Sequence, residues 1–335
     1  MAEAEVKAAV LVTGGAGYVG SHAALALLDA GWPVVVIDDL STGFDWAVPE
    51  GAFFEEGDIA DADLVERLIG EHEVGAVMHF AGSVVVPESV ADPLKYYENN
   101  TAKSRALIAS AVKCGVGHFI FSSTAATYGI PASVPVAEDA PTAPINPYGW
   151  SKLMTERMLK DSAAAYGMNH IALRYFNVAG ADPKGRAGQS TGGATHLITV
   201  AVEAACGSRA GVDVYGTDYD TPDGTGVRDY IHVTDLAAAH IHALERLIAA
   251  PAESLTLNCG YGRGFSVLEV LDAVDRAANT RLERRLAPRR AGDPPALVAD
   301  NKAILATLNW RPERDDIDTI VADALAWERT LAARG

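Results

Sequence analysis

Tyr148 and Lys152 stand four positions apart in the run Pro147-Tyr148-Gly149-Trp150-Ser151-Lys152. Pro147 suits the first turn of a helix, which makes the phenol and the ammonium i and i+4 neighbours on one face. A free tyrosine loses its proton near pH ~10, and an adjacent positive charge favours the phenolate. A phenol so placed can take a hydroxyl proton and give it back. The same spacing also arises by chance on helix surfaces, so the surrounding elements decide its meaning.

Upstream, His118 to Ser123 reads as a strand running into Ser122-Ser123-Thr124-Ala125-Ala126-Thr127-Tyr128-Gly129. Several hydroxyls, Thr124 among them, therefore reach the carboxyl edge of a sheet just before the helix that carries Tyr148. Four further strand candidates, Ala9 to Thr13, Pro33 to Asp38, Ala76 to Phe80 and His170 to Phe176, are nearly all continuously apolar, as strands buried on both faces are. Helical patterns at Gly20 to Ala30, Asp61 to His72, Asp92 to Cys114 and Tyr148 to Tyr166 alternate with them. The expected fold class is α/β, a doubly wound parallel Rossmann-type sheet over residues 1–180. From residue 181 to 335 a smaller mixed α/β lobe is expected, some of it free to pack back on the first domain. It opens with an irregular stretch, Ala181 to Gly193, followed by helical patterns near His196 to Cys206, Thr234 to Ala249 and Ser266 to Ala278. Ligands of open α/β sheets sit at the carboxyl ends of the strands, so the site is expected between the lobes.

The first strand ends in Thr13-Gly14-Gly15-Ala16-Gly17-Tyr18-Val19-Gly20 and leads directly into a helix. Glycines at 14, 17 and 20 allow a tight turn that brings backbone N–H groups and a helix N-terminus to a pyrophosphate. Asp38 closes the second strand about 20 residues on, where a carboxylate accepts from adenosine ribose hydroxyls and repels a 2′-phosphate; NAD is favoured over NADP. For Asp38 and Asp39 the alternative is a simple turn start. In Gly57-Asp58-Ile59, Asp58 is equally placed to approach the adenine or to cap the following helix.

The chain has 335 residues, 49% of them hydrophobic, with 27 Lys plus Arg against 44 Asp plus Glu for a net charge of −17. That field repels polyanions and argues against nucleic-acid or anionic-membrane binding, so a phosphorylated ligand needs a local cationic pocket. Cys114, Cys206 and Cys259 are widely spaced and read as reduced thiols, not as a disulfide framework or zinc site. His240 and His242 lie i,i+2 on a helix and point apart, so no metal is expected. Met1 to Lys7 lacks the basic flank and apolar core of a secretory leader, and no run of about 18 apolar residues follows. A soluble cytoplasmic protein is the expectation.

With Gly14, Gly17, Gly20, Thr124, Tyr148 and Lys152 on its motif positions, the chain resembles the extended short-chain dehydrogenase/reductase family. Longer runs are similar to those of the UDP-glucose 4-epimerases within it: His79-Phe80-Ala81-Gly82, Pro87-Glu88-Ser89-Val90, Tyr96-Tyr97-Glu98-Asn99-Asn100, Leu173 to Asn177, Asp223 to Val233 and Ala287 to Asp293. The resemblance spans about Ala8 to about Trp327. It implies that Tyr148 as phenolate, assisted by Thr124, takes the proton of the sugar 4-hydroxyl while carbon 4 gives a hydride to NAD. The 4-keto sugar then turns over and recovers the hydride on its other face. Lys152 is implied to lower the Tyr148 pKa and bind the nicotinamide ribose.

Cofactor contacts implied in the same way are Gly14, Gly17, Tyr18, Val19, Gly20, Asp38, Asp39, Asp58, Ile59, Phe80, Ala81, Gly82, Asn99, Ser122, Tyr148, Lys152 and Tyr175. For Asn99 a packing role is an equal alternative. Implied substrate contacts are Thr124, Tyr148, Asn177, His196, Leu197, Val214, Tyr215, Arg228, Tyr230, Arg290, Asp293 and Leu297. Alternatives stay open for Arg228, which can pair with Asp229 or a neighbour, for Asp293 as a turn residue and for His196 as a loop residue. Thr124 stands where many members have serine, Val84 where many have a lysine near the cofactor phosphates, and Leu297 where residue size decides whether an N-acetyl group fits. A UDP-N-acetylglucosamine or UDP-pentose/uronate 4-epimerase is the alternative enzyme. A non-catalytic NAD-sensing protein is the alternative of another class. The resemblance also implies a homodimer through the helices at Asp92 to Cys114 and Tyr148 to Tyr166.

Overall fold

The computed structural model describes residues 7–251, 253–290 and 293–334. Met1 to Val6 of the leader reading, and Ala291 and Gly292 of the Ala287 to Asp293 run, lie outside the described residues. The chain begins with β1 (Ala9–Thr13), α1 (Tyr18–Asp29), β2 (Val34–Asp38), β3 (Phe53–Glu56), α2 (Ala62–Glu71) and β4 (Val74–His79). Then come α3 (Val86–Ala91), α4 (Pro93–Tyr96), a π-helical segment over Tyr97–Ala102, and α5 (Lys103–Lys113). Thr124 and the Tyr148–Lys152 pair follow on β5 (His118–Thr124) and α6 (Pro147–Tyr166), with β6 (Asn169–Tyr175) behind them. The remainder comprises β7 (Asn177–Ala179), α7 (Leu197–Ala205), β8 (Val212–Tyr215), β9 (Val227–His232), α8 (Val233–Ala249) and β10 (Leu255–Cys259). It closes with β11 (Gly264–Ser266), α9 (Val267–Ala278), β12 (Arg284–Ala287), β13 (Ala296–Leu297), α10 (Lys302–Thr307) and α11 (Ile317–Arg334).

Seven strands pair in the order β10-β6-β5-β4-β1-β2-β3, and every pairing is parallel. Alternate residues of each strand feed two cores. Val10, Val12, Val34 and Val36 pack with Leu27 of α1 and with Leu236, Leu244 and Leu247 of α8. Leu11, Val35 and Ile37 face the other way, onto Val65 and Leu68 of α2, Leu107 of α5 and Leu159 of α6. Each such side chain, once fully buried, stabilises the fold by roughly 1.5–3 kcal/mol. Burial on both faces is why these strands read as apolar runs without alternation.

Beyond Val178 the chain both builds new structure and returns to the old. β7, β9, β11 and β13 form a small mixed sheet, and β8 pairs with β12. A separate core gathers α7, α9 and α11 around Val212, Val214 and Tyr230. By contrast β10 joins the large sheet beside β6, and α8 lies against α1 in the first core. Both segments are thus part of the larger unit despite their late position in sequence.

Candidate active site

The site forms where the strand order reverses, between β1 and β4. Phe80 and Ala81 donate their N–H groups to Thr13 O at 3.0 and 3.1 Å, drawing the two strand ends together. Gly14 adopts φ 71°, and a β-carbon there would sit 2.6 Å from Ala81 N; only glycine permits this turn. Gly20 packs on the Gly14 carbonyl without room for a β-carbon, whereas Gly17 meets nothing but that carbonyl at 3.3 Å and opens the turn to the cleft. No side chain caps the start of α1 and none in its first turn is acidic, leaving its N–H groups and dipole for an anion. Asp38 accepts from Ala16 N at 3.0 Å and Leu40 N at 2.9 Å, which aims its carboxylate along the rim, while burial raises its pKa. A glycine cradle, an uncapped helix start and a carboxylate beyond it match a dinucleotide's pyrophosphate and ribose.

Asp61, not Asp58, caps α2 by accepting from Leu64 N at 3.0 Å. Asp58 lines the cleft and pairs with Lys103 at 2.6 Å. Burial pushes its pKa up, but the hydrogen bonds from Lys103 and Ala60 N and the Lys103 charge together outweigh it and hold it low.

At the other end of the same cleft, α6 starts on Asn146, whose side chain accepts from Gly149 N at 2.8 Å, with Pro147 in its first turn. A β-carbon on Gly149 would lie 2.7 Å from Ala126 O, so glycine there lets the helix approach the exit of β5. Tyr148 and Thr124, both buried, meet at that approach. Burial raises the phenol's pKa and a hydrogen bond with the Thr124 hydroxyl lowers it. Lys152 is 2% exposed, donates to Ser122 O at 2.9 Å and lies 5.0 Å from the Phe121 ring centre. Burial brings its pKa down to about 8. The causes acting on the Tyr148 phenol are thus burial and the Thr124 hydrogen bond, while the Lys152 ammonium is held on the strand carbonyl. Tyr175 and Ser122 share a short hydrogen bond beside them.

Polar residues hold this arrangement, and of them only Asn99 is a site candidate in the sequence. Asn100 accepts from Ser83 N at 2.7 Å and donates to Ser83 O at 2.9 Å and Ser151 Oγ at 3.1 Å, tying the loop after β4 to α6. Asn99 donates to Ser83 Oγ at 2.9 Å. Glu156, one turn beyond Lys152, hydrogen-bonds Ser123 and takes both arms of Arg174 at 2.9 and 2.6 Å. Both partners of that pair are only 7% exposed. The signal for Glu156 was present in the sequence: it continues the i, i+4 ladder from Tyr148 and Lys152 along a helix face that must be buried.

The cleft has a volume of ≈ 740 Å³. Its lining unites Gly14, Gly17, Tyr18, Val19, Gly20, Asp38, Asp39, Asp58, Ile59, Phe80, Ala81, Gly82 and Asn99 with Ser122, Thr124, Tyr148 and Tyr175. Asn177, His196, Arg228, Asp293 and Leu297 also line it. Lys152 stands behind this surface. Leu197, Val214, Tyr215, Tyr230 and Arg290 do not line it; Val214 and Tyr230 belong to the core of the smaller lobe. Arg228 donates to Val227 O at 2.8 Å and not to Asp229, which accepts from Tyr261, Gly262 and Ala299 N–H groups and is raised to about 6 by burial. Arg290 pairs with Asp293 at 2.9 Å and lies over the Tyr215 ring. Val84 is on the rim, 47% exposed. Among the described residues no group of three or more His, Cys, Asp or Glu is arranged to hold a metal.

The pattern defining the NAD dependent epimerase/dehydratase family matches residues 10–260, three quarters of the chain. The chain belongs to this family. The epimerase/dehydratase chain is 57% identical over 322 residues to a UDP-glucose 4-epimerase of Azospirillum brasilense, covering 96% of the chain and 92% of that protein. Against the UDP-glucose 4-epimerase of Lacticaseibacillus casei the identity is 45%, over 95% and 96% of the two chains. A crystal structure of the Brucella ovis UDP-glucose 4-epimerase in complex with NAD superposes with a TM-score of 0.92 at 45% identity, over 95% of this chain and 98% of that one.

Proposed function

We propose that the protein interconverts UDP-glucose and UDP-galactose by inverting carbon 4 through a transient 4-keto sugar. The observation that carries this reading is the meeting of Thr124 and Tyr148 at one end of a cleft whose other end is a dinucleotide cradle. NAD, held by the Gly14–Gly20 turn and Asp38, supplies the chemistry of accepting a hydride from carbon 4 and returning it. The protein's own residues do the proton work. Thr124 steers the phenol of Tyr148 and lowers its pKa against burial, so Tyr148 can take the 4-hydroxyl proton and return it after the sugar has turned. Lys152, anchored on Ser122 O, presents a buried cation beneath the Phe121–Gly82 wall. Arg228, which lines the cleft along with Asn177 and Asp293, supplies the cationic contact that an acidic chain needs for the sugar diphosphate.

The family name also covers dehydratases, which need an acid/base pair beside the catalytic hydroxyl. Ala125 and Ala126 follow Thr124 here, and neither can move a proton. Epimerisation, which needs one proton-transfer group, is the reaction the residues supply.

Residues 1–180 are read as the NAD-binding domain and 181–335 as the UDP-sugar lobe, with α8 and β10 packed on the former. A homodimer through the helical run Asp92 to Cys114 and through α6 is supported by the shallow groove of Tyr97, Thr101, Ala102, Arg105, Met154 and Met158, and by Trp150 and Met154 being 42% and 41% exposed. Three free cysteines, one of them exposed, suit a reducing cytoplasmic setting. The activity is tested by incubating the purified protein with UDP-galactose and assaying UDP-glucose, with and without added NAD. Conversion is expected; none under either condition overturns the reading.

A further inference from the structure

Two segments that no motif marks close the cofactor end of the cleft. One is the loop after β2, residues 39–48, in which Ser41 and Thr42 line the cleft. It is fastened to the glycine turn by Phe44 N donating to Ala16 O at 3.1 Å. The other is the irregular stretch after β7, in which Gln189 and Thr191 line the same cleft. Its near end is tied to α1: Tyr18 Oη donates to Gly180 O at 2.7 Å, and Arg186 pairs with Asp29 and Asp182 at 3.0 and 2.9 Å. Its far end is tied to α11, where Trp327 Nε1 donates to Gln189 O at 3.1 Å.

Across the rim Thr191 Oγ1 donates to Thr42 O at 3.2 Å, and the 39–48 loop also reaches the Trp327 post of α11 through an aromatic stack. Trp46 lies 5.1 Å from Phe44 and 6.4 Å from Trp327, at interplanar angles of 29° and 28°. Trp327 is buried and Gly188 packs flat on its ring, so the indole is a fixed post. Trp46 is 45% exposed, so the ring that stacks on this post sits at the protein surface.

We propose that Trp46 is a cofactor-retaining residue: stacked on Trp327, it clasps the 39–48 loop to the 188–195 stretch and keeps the Asp38 side of the cleft shut on bound NAD. The inference rests on reading that cleft as the NAD site. It concerns how long the dinucleotide stays, not the proton transfer assigned to Tyr148. The flat ring is what the stack requires, so phenylalanine substitutes and alanine does not.

The test compares wild type, Trp46→Ala, Trp46→Phe and Thr191→Val. NAD per chain is measured after gel filtration, and exchange of bound NAD for isotope-labelled NAD is timed. Thermal melting checks that each variant is folded, which the exposure of Trp46 favours. Trp46→Ala is expected to exchange NAD about tenfold faster than wild type, the loss of one stacked pair. Trp46→Phe should stay near wild type, and Thr191→Val should move the same way by a smaller factor. Exchange by Trp46→Ala at the wild-type rate, or equal acceleration by alanine and phenylalanine, overturns the clasp alone. A wild-type protein that neither carries nor binds NAD overturns the cofactor reading as well.

Discussion

The two ends of the cleft are built differently. At the redox end, Thr124 and Ser122 come from a central strand, Tyr148 and Lys152 from a helix packed on it, and the buried Glu156–Arg174 pair joins that helix to both β5 and β6. At the recognition end, Arg290 and Asp293 sit between β12 and β13, 44% and 28% exposed, and are paired with each other. Arg228 is likewise satisfied by the carbonyls of Val227 and Pro295. The chemistry is held by a sheet core, and the proposed sugar diphosphate must instead draw arginines away from protein partners. Rigid elements suit groups whose relative placement sets a rate, whereas exchangeable contacts suit a ligand that must bind, turn and leave.

The sharpest way to break this contrast is to remove the base. Tyr148→Phe is expected to lower kcat by about 10²–10⁴-fold, the usual weight of a positioned acid/base group. NAD per chain should not change; loss of NAD with unchanged kcat per loaded chain would place Tyr148 in binding alone. Next, Arg174→Met leaves the Glu156 carboxylate buried without its partner and should destabilise the protein by about 3–5 kcal/mol in urea titrations. Arg290→Met, at the exposed end, should change stability by less than ~1 kcal/mol. Equal effects would erase the distinction between the ends.

Arg228→Met is expected to raise KM for UDP-galactose by about 10–100-fold, the weight of one charge-assisted hydrogen bond, with kcat little altered. A fall in kcat instead would assign Arg228 to the reacting end. The smallest effect concerns pH. The Thr124 hydrogen bond lowers the Tyr148 pKa, so Thr124→Ala should raise it and shift the alkaline rise of kcat to higher pH. Thr124→Ser should restore the profile; a shift to lower pH would contradict the assigned sign.

Much of the redox end was legible in sequence because its elements are local and strongly patterned. Doubly buried strands are apolar throughout, and the observed β1 spans the expected Ala9 to Thr13. The glycine turn and the Tyr148–Lys152 spacing each lie on one short segment. Edge strand β3, Phe53–Glu56, escaped notice because its half-exposed Phe-Phe-Glu-Glu has neither pattern. The return of β10 to the large sheet was likewise hidden, since pairing with Ile171 to Tyr175 from over eighty residues away leaves no local trace. Glu156 falls on the Tyr148–Lys152 face, but its partner Arg174 is identified only when that helix and β6 are packed together. At the recognition end Asp293 and Leu297 reach the cleft but Arg290 turns to Asp293, a choice made by loop geometry that residue type alone does not carry.

A single isotope experiment tests the proposed chemistry most directly. UDP-galactose bearing deuterium on carbon 4 is incubated with the protein in ordinary water, and the UDP-glucose formed is examined by NMR. A hydride parked in the closed cleft and returned to the other face of the same sugar predicts product with deuterium still on carbon 4. Product that has exchanged its label for solvent hydrogen would contradict hydride return and leave Tyr148 without its assigned role.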